Sequence, residues 1–242
     1  MALKPTLPPL PGAPSGASAE PYEDAFIEKY AFDAEGNDLG LLWENLHRTP
    51  AERLAQLEGL MASTLEVREG HDREGDTTPG FSEILRLLLD HGIEFVVVGA
   101  VAANLRGVDL STSDLDIVFR QTEENRRRLA DLLLSIDAQY FDPAGRTIRP
   151  TPERLRDLRL NLLRTRLGRL DALARIAGTW DYERIVEHHS SALPFHGREL
   201  RVLTLEGLIE AKSIAARPKD QAALGLLRAA AELDKAKASS DD

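Results

Sequence analysis

The sequence contains no cysteine among its 242 residues. This absence excludes a disulfide scaffold, a thiolate zinc site and a catalytic thiol, and it is typical of proteins from a reducing compartment. No apolar run approaches the roughly 18 consecutive residues that span a bilayer, and the first residues lead directly into prolines instead of an apolar signal core. We therefore expect a cytoplasmic protein without membrane contact.

Positively charged residues are outnumbered, because the sequence has 30 Lys and Arg residues and 40 Asp and Glu residues, which gives a formal net charge of -10. A chain this acidic does not bind nucleic acid through bulk electrostatics. Residues 120–184 differ from the rest, with 14 arginines, no lysine and 10 acidic residues. Arginine suits phosphate recognition, but solvated faces of arginine-rich helices have the same composition. Both interpretations stay open.

The chain divides by composition into three parts. Residues 1–20 hold five prolines among Gly, Ala and Ser, which predicts a disordered tail. A capping box at Thr49 to Glu52, with proline at the first helical position, predicts a helix from about residue 50 to 69, followed by a Gly-rich and Asp-rich linker. We therefore expect residues 21–80 to be a helical extension with its linker, and residues 81–235 to be the main domain.

The main domain mixes short apolar runs with amphipathic segments and has no repeat period. Residues 93–98 are mostly apolar and rich in β-branched side chains, which is typical of a buried strand, and amphipathic helices precede and follow such strands. The fold class that this pattern predicts is α+β, or mixed α/β, with a small mixed sheet flanked by helices.

Three aspartates carry the chemistry in this pattern. Asp114 and Asp116 alternate along a predicted strand, so both project from one face while Leu115 points into the core. Two neighbouring carboxylates require a cation, and hard oxygen ligands suit Mg²⁺ together with substrate phosphates. Asp171 interrupts a later apolar strand, where an unpaired charge is costly, so it is either a third metal ligand or base, or it forms a salt bridge with Arg169 or another of the many arginines.

Other catalytic signatures do not occur in the sequence. There is no Gly-x-Ser-x-Gly motif, no P-loop and no histidine spacing typical of zinc. The strand that ends at Val98 is followed by Gly99, where backbone N–H groups at a helix start would suit phosphate and glycine would allow close approach.

Together these segments resemble the nucleotidyltransferase superfamily related to DNA polymerase β. The resemblance lies in an apolar strand, the pair Gly99-Ala100, a spacer of 13 residues and then Asp114-Leu115-Asp116. Within the superfamily the chain looks most similar to small bacterial minimal and AbiEii-like toxin nucleotidyltransferases. These have a third carboxylate on a later strand, matched by Asp171, and a following lysine-containing helix, matched by Lys212.

The resemblance implies Mg²⁺-dependent or Mn²⁺-dependent transfer of a nucleoside monophosphate from a nucleoside triphosphate to an acceptor hydroxyl on tRNA, protein or a small molecule. It implies a toxin role with an antitoxin partner as well. The three aspartates would bind metal and perform catalysis, with Asp171 also acting as the base. Nucleotide-binding residues would be Gly99, Ala100, Ser113, Lys212 and Lys219.

One position departs from the family pattern. Ala100 stands where the family has Gly or Ser, which keeps the backbone N–H and removes a hydroxyl that can hold a phosphate oxygen. An alternative function therefore stays open, a degenerate module that binds nucleotide or a partner protein without catalysis. Keeping three mutually repelling carboxylates favours the enzyme.

Overall fold

The computed structural model describes residues 32–33, 36–68, 80–215 and 220–240, except for the side chains of residues 64–68 and 236–240. The predicted tail at 1–20 and most of the linker lie outside these ranges. The helices are α1 (Leu39–His47), α2 (Pro50–Arg68), α3 (Phe81–Asp90), α4 (Gly99–Leu105), α5 (Glu123–Ser135), α6 (Pro152–Asp157), α7 (Tyr182–His188), α8 (Leu205–Ala215) and α9 (Asp220–Ser240). The strands are β1 (Phe95–Val98), β2 (Asp114–Phe119), β3 (Gln139–Tyr140), β4 (Leu160–Thr165), β5 (Gly168–Leu173), β6 (Ser190–Phe195) and β7 (Arg198–Leu203).

The seven strands form one mixed sheet in the order β3-β4-β5-β2-β1-β7-β6. Strand β2 lies between β1, to which it is antiparallel, and β5, to which it is parallel. All four residues of β1 are buried, as the unbroken apolar run predicts. The predicted fold class, a mixed sheet flanked by helices, is confirmed.

Local sequence signals explain where several helices begin. At the start of α2, the Thr49 backbone N–H donates to Glu52 Oε2 at 2.7 Å and the Glu52 N–H donates to Thr49 Oγ1 at 3.3 Å. This is the reciprocal capping box expected from the sequence, and it satisfies two backbone donors that the helix itself leaves without partners. The side chain of Thr122 caps α5 in the same manner by accepting from the Asn125 N–H.

The helical extension packs into the same hydrophobic core as the sheet. Leu42 and Leu54 are buried in one cluster with the strands. The guanidinium of Arg53 on α2 donates to the carbonyl of Leu105 at the end of α4 at 2.5 Å and to that of Leu46 on α1 at 3.0 Å. Burial lowers the pKa of Arg53. Helix dipoles favour a cation at these C-terminal carbonyls. The Arg53 side chain therefore holds the C-terminal end of α4 against α2.

Candidate active site

The three predicted aspartates lie on one face of the sheet. Asp116 is paired in register with Asp171 on the neighbouring parallel strand, and Asp114 is paired with Arg169 two residues earlier. Between the two β2 aspartates, Leu115 is fully buried on the opposite face. Strand geometry places the Cα atoms of Asp114 and Asp116 about 6.6 Å apart on the same side. The expected clustering of the three aspartates on one face is therefore present, and we call them the acidic triad.

Asp171 is half-buried on β5. It makes no salt bridge with any residue in the described ranges. Burial, reinforced by the charge of Asp114 and opposed by Arg169, raises the pKa of Asp171 to about 6. Strongly perturbed carboxyl groups of this kind are concentrated at functional sites.

The turn after β1 touches the acidic triad directly. Gly99 has φ +68°, and a Cβ atom at this position would lie 2.1 Å from Asp116 Oδ2 and 2.9 Å from its Cγ. Only glycine allows both the left-handed backbone and this approach. Ala100 follows in the first turn of α4, and Val98 gives this helix no side-chain cap. Gly99 and Ala100 therefore bring backbone next to the Asp116 carboxylate, as the sequence predicts.

Two positioning residues were missed by the sequence analysis. Thr112 Oγ1 donates to Asp114 Oδ1 at 2.6 Å and orients that carboxylate, whereas the predicted Ser113 is exposed. Asn104, which is buried, donates through Nδ2 to the carbonyl of Ala100 at 2.9 Å and to that of Leu110 at 2.8 Å. Asn104 thus ties the turn at Gly99 to the loop that leads into β2. A hydroxyl two residues before an aspartate is a known turn signal that could have indicated Thr112.

The structure gives the predicted phosphate ligand Lys212 a protein partner. Its Nζ lies 2.7 Å from Oδ1 of Asp220, and this ion pair joins α8 to α9 with both side chains largely buried. Lys219 lies outside the described residues. The nucleotide-binding roles of Ser113, Lys212 and Lys219 therefore stay predictions.

We expect Lys212→Met to lower the free energy of unfolding by about 2 kcal/mol, because Asp220 would remain buried without its cation. The exposed Lys235, substituted as Lys235→Met, is the matched control and should change stability by less than about 0.5 kcal/mol. Urea denaturation measures both. The double variant Lys212→Met/Asp220→Leu should recover most of the loss, and a loss that persists would contradict the pairing.

The donor set of the acidic triad fits a hard divalent cation, since its side chains offer only carboxylate oxygens. In the described part of the chain, no group of three His, Cys, Asp or Glu residues is arranged to hold a metal ion by itself. Mg²⁺ in phosphoryl-transfer sites is usually held by one or two carboxylates and by substrate phosphates. The residues present therefore fit a cation that binds together with a nucleotide.

Comparisons with known proteins give structural likeness only. No family model and no curated protein matches the chain. Among solved structures, a candidate nucleotidyltransferase from Thermotoga maritima is 18% identical, with a TM-score of 0.40 over 64% of this chain and 96% of that one. An antigenic nucleotidyltransferase-like protein from Paracoccidioides brasiliensis is 16% identical, with a TM-score of 0.39 over 65% and 84%. The antibiotic-resistance factor ANT(2″)-Ia is 14% identical, with a TM-score of 0.40 over 65% and 86%.

Likeness at this level does not carry an activity from one chain to another. No helix in the described ranges is both long and apolar enough to cross a membrane.

Proposed function

We propose that the protein transfers a nucleoside monophosphate from a nucleoside triphosphate to an acceptor hydroxyl, with Mg²⁺ or Mn²⁺ as cofactor. One observation carries the proposal. The register of β2 and β5 places Asp114, Asp116 and Asp171 on one sheet face, with Gly99 packed against the Asp116 carboxylate. A domain without chemistry gains nothing from three carboxylates that repel each other beside a glycine turn.

The acidic triad and the glycine turn divide the work. Asp114 and Asp116, with Asp171, would hold the divalent cation, which supplies charge neutralisation for the triphosphate and the departing pyrophosphate. Thr112 keeps Asp114 oriented, and Asn104 keeps the turn and the β2 loop together. The backbone of Gly99 and Ala100 admits the phosphate chain close to the carboxylates, and the methyl group of Ala100 is small enough to permit this.

In the proposed reaction, Asp171 is the base. The acceptor hydroxyl gives its proton to Asp171, and its oxygen forms a bond to the α-phosphorus. The bond between that phosphorus and the oxygen bridging to the β-phosphate breaks, and pyrophosphate leaves with the electron pair. In the protein without metal, burial and the charge of Asp114 raise the pKa of Asp171 to about 6, which makes its carboxylate a stronger base than an ordinary aspartate.

Incubation of the protein with each α-³²P-labelled triphosphate, Mg²⁺, total RNA and cell lysate tests the proposal. We expect a labelled RNA or protein band that Asp116→Asn lowers by at least about 10³-fold, because the substitution keeps the shape and removes the charge. The matched control is Asp181→Asn, which changes the cap of α7 and no residue of the acidic triad. Equal labelling by Asp116→Asn and by the unmodified protein would refute the proposed activity.

A second candidate function is a degenerate module that binds nucleotide or a partner protein. The observation that favours it is Ala100, which lacks the phosphate-binding hydroxyl of the family pattern. Metal-dependent triphosphate binding without label in any lane would support this alternative. The resemblance also suggests a toxin role with an antitoxin partner, and the lack of cysteine and of long apolar runs suggests a location in the cytoplasm; both remain part of the proposal.

A further inference from the structure

The sheet face that carries the acidic triad continues into a surface with exposed apolar groups. Leu162 on β4 is paired in register with Asp171, and Leu160 is paired with Leu173. Phe141 comes directly after β3 and lies beside Leu162, because the Phe141 N–H donates to the Leu162 carbonyl at 3.1 Å. Registered neighbours in a sheet project to the same side. Phe141, Leu160 and Leu162 therefore lie on the face of the acidic triad, one or two strands away from Asp171.

These three side chains are exposed among the described residues, at 51%, 47% and 40% of their full accessible surface. Their exposure is not a consequence of loose structure at the sheet edge. On the opposite face, the Tyr140 hydroxyl donates to Oδ1 of the fully buried Asn161 at 2.7 Å, and the Asn161 amide donates to the Ala172 carbonyl at 3.0 Å. These bonds fix β3 to β4 and β5. An apolar cluster held outward beside reactive groups is typical of a binding surface.

Two arginines complete this surface. Arg164 and Arg169 are directly paired across β4 and β5, and neither makes an ion pair with a residue in the described ranges. Arg169 lies between Asp114 on β2 and Arg164 on β4, whereas Arg164 lies between Arg169 and the uncharged Gln139. Like charges placed opposite each other destabilise a sheet, so the side of this pair that faces away from the acidic triad favours an anionic ligand. The Arg164 guanidinium also lies 4.9 Å from the centre of the Phe141 ring. We call Phe141, Leu160, Leu162, Arg164 and Arg169 the outer face.

We propose that the outer face binds the single-stranded end of a nucleic acid, which is then the acceptor of the proposed transfer. The inference rests on the proposed function for its link to catalysis. Single-stranded nucleic acids are bound by aromatic side chains that stack on bases and by basic side chains that contact phosphates, and Phe141 and the two arginines provide both. A base on Phe141 and Leu162, with its phosphate at the arginine pair, brings the terminal hydroxyl toward Asp171.

Fluorescence anisotropy with a 5′-labelled 12-nucleotide single-stranded RNA, the same DNA sequence and a blunt duplex tests this surface without metal or triphosphate. We expect binding of the single strands in preference to the duplex. Phe141→Ala and Arg164→Gln should each weaken binding by about tenfold. The double variant Arg164→Gln/Arg169→Gln should reduce the slope of log affinity against log salt by about 1.4, since each lost phosphate contact contributes about 0.7 for a single strand.

Exposed residues of the same types on α5 provide controls. Leu134→Ala and Arg127→Gln should change affinity by less than about twofold, because both residues are exposed on α5 and neither belongs to the outer face. Thermal unfolding of every variant shows whether the fold is kept, and Arg164→Glu should weaken binding more than Arg164→Gln if charge is the cause. Single-strand binding that is absent, or that the outer-face variants leave unchanged, would overturn the inference.

Labelling separates this inference from the proposed function. If Asp116-dependent label appears only on protein, the transfer activity stands and the nucleic-acid acceptor is wrong. If single strands bind through the outer face but no label depends on Asp116, the surface stands and the proposed transfer fails.

Discussion

Gly99→Ala is expected to lower transfer by about 10²-fold and to destabilise the protein, although it adds a single methyl group. The new Cβ atom would lie 2.1 Å from Oδ2, 2.9 Å from Cγ and 3.0 Å from Cβ of Asp116. Because three atoms along that side chain are too close, rotation of the carboxylate alone does not relieve the contact. The turn and β2 must separate, and a displacement near 1 Å costs about 10²-fold in rate.

The loss of stability has two parts that a control variant separates. Gly178 has φ +74°, and a Cβ atom added there would have no neighbouring atom within 4 Å. Gly178→Ala therefore measures only the cost of alanine in the left-handed region, about 1 kcal/mol. Gly99→Ala adds the overlap with Asp116, and its total should be about 3 kcal/mol or more. Urea denaturation and the labelling assay measure both effects. Equal stability losses in the two variants, with transfer retained, would show that Asp116 does not need the close approach.

The core of the candidate site could be predicted because its signals are local. Alternation along Asp114 to Ile117 determines which side chains face outward, and the structure buries Leu115 and Ile117 while leaving the aspartates at the surface. The capping box at Thr49 is equally local. The sheet class followed from the mixture of short apolar runs and amphipathic segments.

What the sequence analysis missed depends on pairing between distant segments. The outer face forms because Leu162 pairs with Asp171 and because Phe141 lies beside Leu162. Neither register can be derived from one sequence without knowing the strand order. Strand β6 could not be recognised from the sequence because it contains Pro194, which argues against a strand. Proline is tolerated at the edge of a sheet, where β6 lies. The partner of Lys212 is nearer in sequence, but it lies on the next helix, so the periodicity of α8 alone does not indicate it.

The Lys212 pair bears on how the site would bind nucleotide. A lysine already 2.7 Å from a buried carboxylate can contact a phosphate only by leaving or sharing that partner. The other predicted phosphate contacts come from backbone at Gly99 and Ala100. This arrangement favours a site in which carboxylates and backbone groups, and not Lys212, make the main contacts with the nucleotide and its cation.

Asp171→Asn is expected to remove transfer while making the protein more stable at neutral pH. The substitution removes the proposed proton acceptor, so labelling should fall by about 10³-fold. It also removes a partly buried negative charge beside Asp114, the two causes that raise the pKa of Asp171 to about 6. Opposite effects on activity and stability are characteristic of a charge kept for function.

The raised pKa of Asp171 determines how the stability of the protein changes with pH. The folded protein holds a proton on Asp171 up to a pKa of about 6, whereas the unfolded chain loses it near the ordinary value of 3.8. Between these values the folded state binds more protons, so this residue makes stability fall as pH rises from about 4 to about 6. In metal-free buffer with chelator, Asp171→Asn should match the unmodified protein near pH 4 and exceed it at pH 7.

Asp142 provides a control with the opposite sign. Hydrogen bonds from Arg146 lower the pKa of Asp142 to about 2, so its charge stabilises the folded state at every pH above the ordinary value and this contribution is lost as pH falls toward 2. Asp142→Asn should therefore reduce the unfolding free energy at pH 7, where Asp171→Asn increases it. Urea denaturation from pH 4 to pH 8 measures both curves. A destabilised Asp171→Asn at pH 7 would mean that Asp171 is a structural residue, because only a charge without a compensating protein partner is relieved by neutralisation.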